Sequence, residues 1–183
     1  MNYAAIKYLD IANGPGARTC LFVSGCTHAC PECFNREAWS FTYGNEFDES
    51  VQDTILSSLE PRYCKGLTVL GGEPMEPNNQ RGLVEFLERV RREFPDKSIW
   101  MYTGDVYENL MDEYSIRHTE VTSRIMNCLD VLVDGPFVKD LYDITLRFKG
   151  SSNQRLIDVP KTLDKGEVVI WQDESIYATH GLN

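Results

Sequence analysis

The stretch GLTVLGGEPMEPNNQRGLVEFLERVRREFPDKSIWMYTG, residues 66–104, holds a strand, a helix and a second strand in succession. GLTVLGG (Gly66–Gly72) is a short apolar run ending in glycines, as a buried strand does. In NQRGLVEFLERVRREF, Leu83, Phe86, Leu87, Val90 and Phe94 share one helical stripe, and Pro95 closes the helix. KSIWMYTG (Lys97–Gly104) is a second strand that again stops at a glycine.

The alternation extends both ways. RTCLFVSG (Arg18–Gly25) is a β-rich run. Asp48 caps a helix whose Val51, Ile55 and Leu59 recur at four-residue spacing. Val106–Tyr114 reads as a short helix, and Val121, Ile125 and Leu129 mark another. DVLVDG (Asp130–Gly135) is a strand, and EVVIW (Glu167–Trp171) reads as the last one. Such alternation predicts an α/β fold with a mostly parallel sheet. The chain has 183 residues, enough for one domain. A complete eight-fold barrel needs about 250 residues, so the expectation is a partial (βα) barrel of roughly five to six strands, or an open sheet. Residues 1–17 lead into it and 172–183 form a loose tail. In either architecture ligands gather at the C-terminal strand ends. Four such ends are polar or glycine-rich: Ser24–Cys33, Gly71–Pro74, Thr103–Asp105 and Asp134–Pro136.

Composition narrows the function. The formal net charge of -10 disfavours a nucleic-acid binder, which needs a basic footprint. The densest basic run, ERVRRE, is flanked by acids on a helix face and reads as solvated surface. No run approaches the roughly 20 apolar residues of a membrane helix. Lys7 and Asp10 interrupt the only segment that could serve as a secretory leader, so a cytoplasmic protein is expected. Six cysteines are present, and three crowd into eight residues. In a cytosolic chain such a cluster binds metal or does redox work more often than it forms disulfides.

The crowded stretch is GCTHACPECFN (Gly25–Asn35), with Cys26, Cys30 and Cys33. Structural zinc wants four ligands in paired knuckles. His28 sits too tightly between cysteines to serve easily, and Cys20 lies in a strand where buried free cysteine is common. Electron-transfer clusters use four cysteines each. Three thiolates on a four-iron cube leave one iron open, and an open position is where chemistry happens.

CTHACPEC has the CxxxCxxC spacing of the radical S-adenosylmethionine superfamily, and GGEP (Gly71–Pro74) resembles that superfamily's glycine-rich strand end. NGPGAR, LFVSGCTHACPECFN, SIWMYTG, VLVDGPFV and RFKGSSNQRLIDV together resemble the glycyl-radical activating enzymes that serve anaerobic (class III) ribonucleoside-triphosphate reductases. The likeness runs from Asn2 to about Val159.

The resemblance implies a [4Fe-4S] cluster on Cys26, Cys30 and Cys33, with S-adenosylmethionine on the open iron. It implies reductive cleavage of that cofactor and transfer of a hydrogen atom from a glycine of the reductase. Gly71, Gly72 and Glu73 would receive the methionine ammonium, since glycines allow close backbone approach. The residue before the third cysteine, often aromatic in the superfamily, is Glu32 here, and the aromatic is Phe34. Adenine contact is therefore assigned to residues 32–34, including Cys33. Thr103 and Asp134 are assigned to the ribose or methionine part, with helix capping as the alternative. Gly14, Pro15, Gly16 and Arg18 of NGPGAR, with Ser151, Asn153 and Gln154 of GSSNQ, are candidates for the reductase interface or for closing the site. Ordinary turn chemistry is their alternative. Cys64 and Cys128 read as structural. A low-potential flavodoxin is the implied electron donor. Two other readings stay open: a radical enzyme acting on a small molecule, and a metal-binding module without catalysis.

Overall fold

The structure, a computed structural model, describes residues 1–173. Its strands are β1 (Asn2–Asp10), β2 (Ala17–Val23), β3 (Asn45–Glu46), β4 (Cys64–Gly71), β5 (Ser98–Tyr102), β6 (Val131–Asp134) and β7 (Arg155–Asp158). The helices are α1 (Glu49–Leu59), α2 (Pro77–Glu93), α3 (Tyr107–Met111), α4 (Thr122–Cys128) and α5 (Val159–Lys165).

The strands form one mixed sheet in the order β3-β1-β2-β4-β5-β6-β7. Its centre, β2-β4-β5-β6, is parallel, while β1, β3 and β7 pair antiparallel at the margins. The sheet is therefore α/β and mostly parallel at its centre, but it is open and has seven strands rather than five to six. The extra strands are antiparallel margins that a strand-helix alternation does not reveal. One of them, β1, is built by the lead-in segment. Another, β7, has only Leu156 and Ile157 buried between two charged residues, too short a pattern to read.

The expected last strand, EVVIW, does not form. That segment attaches to β7 by two bonds, Asp158 N–H to the Val169 carbonyl and Trp171 N–H to the Leu156 carbonyl, both 2.8 Å. The contact with β7 stays a single bridge, Ile157 opposite Ile170. Of the tail, Gln172 and Asp173 are described, and Asp173 pairs with Arg147. Residues 174–183 lie outside the described residues.

The helices form for the reasons the sequence gives. The Asp48 side chain accepts the Val51 N–H at 2.9 Å and caps α1. Pro77 opens α2, where no backbone donor is needed, and Pro95 follows its end. Leu83, Phe86, Leu87 and Val90 of α2 are fully or almost fully buried, so the stripe faces the sheet. They join Ile55 and Leu59 of α1, Ile125 of α4 and Leu67, Val69 and Ile99 of the central strands in the main core. The opposite face is smaller: Trp100, Val131, Val133 and Leu156 lie beneath Phe148 and Trp171. Trp100 meets these two rings edge-on, with centroids 5.4 and 5.1 Å away.

Candidate active site

The parallel register brings the C-terminal strand ends to one edge, with Val23 opposite Gly71, Val69 opposite Met101, and Tyr102 opposite Val133. A cleft of about 590 Å³ opens there. Cys26, Cys30 and Cys33 line it together with Gly71, Gly72, Glu73 and Thr103. Lys7 of β1, Tyr102 of β5, Trp39, Phe137 and Gln154 complete its walls. The expected gathering of strand ends holds.

The glycines stitch two of these ends together. Gly72 N–H donates to the Val23 carbonyl at 2.8 Å, and Glu73 N–H donates to the Gly25 carbonyl at 2.9 Å. A Cβ at Gly72 would stand 2.7 Å from the Gly25 oxygen, so only glycine lets the turn lie against the cysteine loop. The Asn79 amide donates to the carbonyls of Ser24 and Glu73 at 3.0 and 2.9 Å and clamps the same junction.

Glu73 is almost fully buried. Its carboxylate accepts the N–H groups of Met75 and Gly104, each at 2.8 Å. His28 Nε2 stands 2.9 Å from Glu73 and 3.2 Å from Asp105. Hydrogen bonding to Asp105 and Glu73 outweighs burial and raises the His28 pKa to about 10, so the ring is an imidazolium at neutral pH. His28 thus joins the cysteine loop to the ends of β4 and β5, a role the sequence gives no sign of. Burial pushes the Cys26 thiol up to about 11 in the metal-free protein. A metal at that sulfur removes the proton outright.

Phe34 is fully exposed at the cleft mouth, and Glu32 pairs with Lys139 at 3.1 Å across it. Asp134 has a different place from the one expected. Its carboxylate is fully buried, pairs with Arg155 and accepts the Tyr107 N–H at 2.8 Å, and it does not line the cleft. Here the capping alternative holds, because a strand-end carboxylate can turn toward the following helix as readily as toward a ligand.

Arg18 is also displaced from its expected role. It is fully buried at the other end of β2, donating to Thr68 Oγ1, Ser98 Oγ and the carbonyls of Leu67 and Ser98 at 2.8–2.9 Å. No part of it is free to meet a partner. Gly14 packs on that side chain, and Pro15 and Gly16 turn between β1 and β2, at the end of the sheet away from the cysteines. That loop cannot close the cleft. In the GSSNQ segment, Gln154 lines the cleft, donates to the Gly135 carbonyl at 3.0 Å and accepts the N–H of Gly150 and Ser151. Asn153 donates to the Pro136 carbonyl, and buried Ser151 accepts the Val138 N–H. This loop braces the segment after β6 against the cleft.

The donor set fits a cluster bound through three thiols: three cysteines of one short loop share one cleft, beside a glycine-rich turn and a buried carboxylate. Among the described residues, two buried side-chain atoms have neither a hydrogen-bond nor a charged partner, Ser24 Oγ and Trp39 Nε1, and both belong to this end of the sheet. An iron-sulfur centre is the class of site this defines, and the family described as a 4Fe-4S single cluster domain matches residues 12–157.

Relatives narrow the class. The anaerobic ribonucleoside-triphosphate reductase-activating protein of Pasteurella multocida is 43% identical over 156 residues, covering 84% of this chain and 95% of that protein. Its namesake in Escherichia coli strain K12 is 40% identical, covering 84% and 96%. The one from Enterobacteria phage T4 is 36% identical, covering 85% and 93%. The chain belongs to the family of anaerobic ribonucleoside-triphosphate reductase-activating proteins.

Proposed function

We propose that this protein uses one [4Fe-4S] cluster and S-adenosylmethionine to generate a glycyl radical on an anaerobic ribonucleoside-triphosphate reductase. The observation that carries this reading is the single cleft shared by Cys26, Cys30, Cys33 and the Gly71–Glu73 turn. Bound in this cleft, a [4Fe-4S] cluster and S-adenosylmethionine would supply the one-electron chemistry needed to remove a hydrogen atom from the reductase glycine.

The chain's own groups bind, orient and exclude water. Cys26, Cys30 and Cys33 would hold the cluster. The Gly71–Gly72 backbone and Glu73 receive the methionine ammonium. The His28 Nε2 already marks where a cationic N–H donor rests against Glu73. Phe34 offers a face for adenine, with Glu32 and the Cys33 backbone beside it, and Thr103 lies at the ribose or methionine part. Phe137 and Gln154 wall the cleft and limit water. No protein acid or base is needed.

The described residues act as a single domain, with the parallel centre of the sheet serving as a partial barrel around the cofactor. In a chain of net charge -10, Lys7 lines the cleft and Lys139 pairs with Glu32 of its lining. They suit an acidic low-potential donor such as flavodoxin. No helix of the described residues is long and apolar enough to cross a membrane.

The test is anaerobic reconstitution followed by reduction with S-adenosylmethionine present. The proposal expects 5'-deoxyadenosine, and a glycyl-radical EPR signal only when the reductase is added. Zinc in place of iron, or no 5'-deoxyadenosine, would overturn it.

A further inference from the structure

The first gap of the cysteine loop holds Thr27, His28 and Ala29, and the structure uses all three. Thr27 gives both its backbone N–H and its hydroxyl to one oxygen of Glu76, each at 2.7 Å. The other Glu76 oxygen stands 2.6 Å from Arg117 Nη1. Arg117 Nη2 donates back to Thr27 Oγ1 at 3.0 Å, and its Nε lies 3.0 Å from Asp105. Asp105 meets His28, and His28 meets Glu73. The contacts run continuously through the loop, the β4–α2 turn, the end of β5 and the segment before α4. Arg117 is itself anchored, since its carbonyl accepts the Gln80 amide at 2.6 Å.

Arg117 and Glu76 are both almost fully buried. A buried pair of this kind does little for net stability but is well suited to fixing one arrangement. What it fixes here is the start of the loop. Directly after His28 the chain enters the left-handed region at Ala29 (φ 49°), which a residue with a side chain holds only when its surroundings impose it. Beyond that reversal the anchoring is sparse. Between Cys30 and Phe34 the one backbone bond is Cys33 N–H to the Cys30 carbonyl, and Glu32 and Phe34 are exposed.

We propose that Arg117 is a positioning residue for the three-thiol site: through Glu76 and Asp105 it locks Thr27 and His28, sets the reversal at Ala29, and so presents Cys30 and Cys33 to the same cleft as Cys26 before metal arrives. This rests on the reading that these cysteines hold the cluster, yet the locked loop exists without it.

The test uses the full chain with Arg117→Lys, which keeps the charge and loses the fork, and Thr27→Val, which removes only the hydroxyl in case the first variant fails to fold. Hydrogen exchange on the metal-free protein should show the Thr27 amide protected in the parent and exchanging about tenfold faster in both variants. After reconstitution, a chelator should strip iron about tenfold faster from both, and the reduced cluster should give a broadened EPR spectrum. Unchanged amide exchange in both folded variants would overturn the proposal, whatever the iron does. Faster exchange with unaltered iron release and EPR would overturn its link to the thiols. If Cys26→Ser keeps its iron, the cluster assignment itself falls, and amide exchange alone then judges the lock.

Discussion

Two buried arginines stand at opposite ends of the strands, and their surroundings are opposite. Arg18, at the start of β2, is enclosed by neutral acceptors and lies 5.5 Å from the Trp100 ring. Burial alone dominates there and lowers its pKa to about 10. At the end where the strands finish, burial also acts against the Arg117 cation, but Glu76 and Asp105 overcome it and raise the pKa. Thr27 and Arg117 in turn hold Glu76 below the usual carboxylate range despite its burial. One arginine serves as a brace for backbone carbonyls. The other belongs to a charged group in which three carboxylates (Glu73, Glu76 and Asp105) face two cations. The group joins the cysteine loop to the ends of β4 and β5.

Substitutions should separate the two ends. Cys30→Ser should lose nearly all bound iron after reconstitution while moving the metal-free stability by less than about 0.5 kcal/mol, read from urea midpoints. Arg18→Ala should do the reverse. It opens a cavity and strands buried acceptors, costing about 3–5 kcal/mol, while iron per folded chain stays at the parent level. A parent-like urea midpoint in Arg18→Ala would erase the distinction. Phe34→Ala, exposed and outside the core, should leave folding alone and weaken S-adenosylmethionine binding by about 1–3 kcal/mol, the range of ring stacking on a base. Unchanged calorimetric affinity removes Phe34 from the site.

A further effect is one of pH. In the metal-free protein the His28 pKa is raised to about 10, against about 6.5 when unfolded. The stability it contributes is complete below about pH 6.5 and is lost as pH rises through about 10. The difference in urea midpoint between parent and His28→Gln should therefore shrink from pH 6 to pH 10.5. A constant difference would show that the ring is not held as a cation.

The sequence carried the central part of this architecture because period and punctuation agree there. The α2 stripe and the glycine-stopped strands β4 and β5 need no tertiary information. The cysteine spacing and GGEP located the cleft because both follow strands that end on the same edge. What escaped depends on pairing across distance. The strand β1 is legible only once β2 is seen beside it. Arg117 reaches Thr27 across 90 residues, and nothing in its local sequence marks it. Asp134 and Arg18 were misassigned for one reason: a residue at a strand end or in a turn has two directions to face, and sequence does not choose between them.

The tryptophans add a practical consequence. Trp39 lines the cleft beside the cysteines, whereas Trp100 and Trp171 pack against each other on the other face of the sheet. Filling the cleft with a strongly absorbing iron centre would quench the first indole far more than the other two. Intrinsic fluorescence thus divides into a component that reports loading and one that reports integrity of the sheet, so assembly and unfolding can be followed in one sample without an added dye.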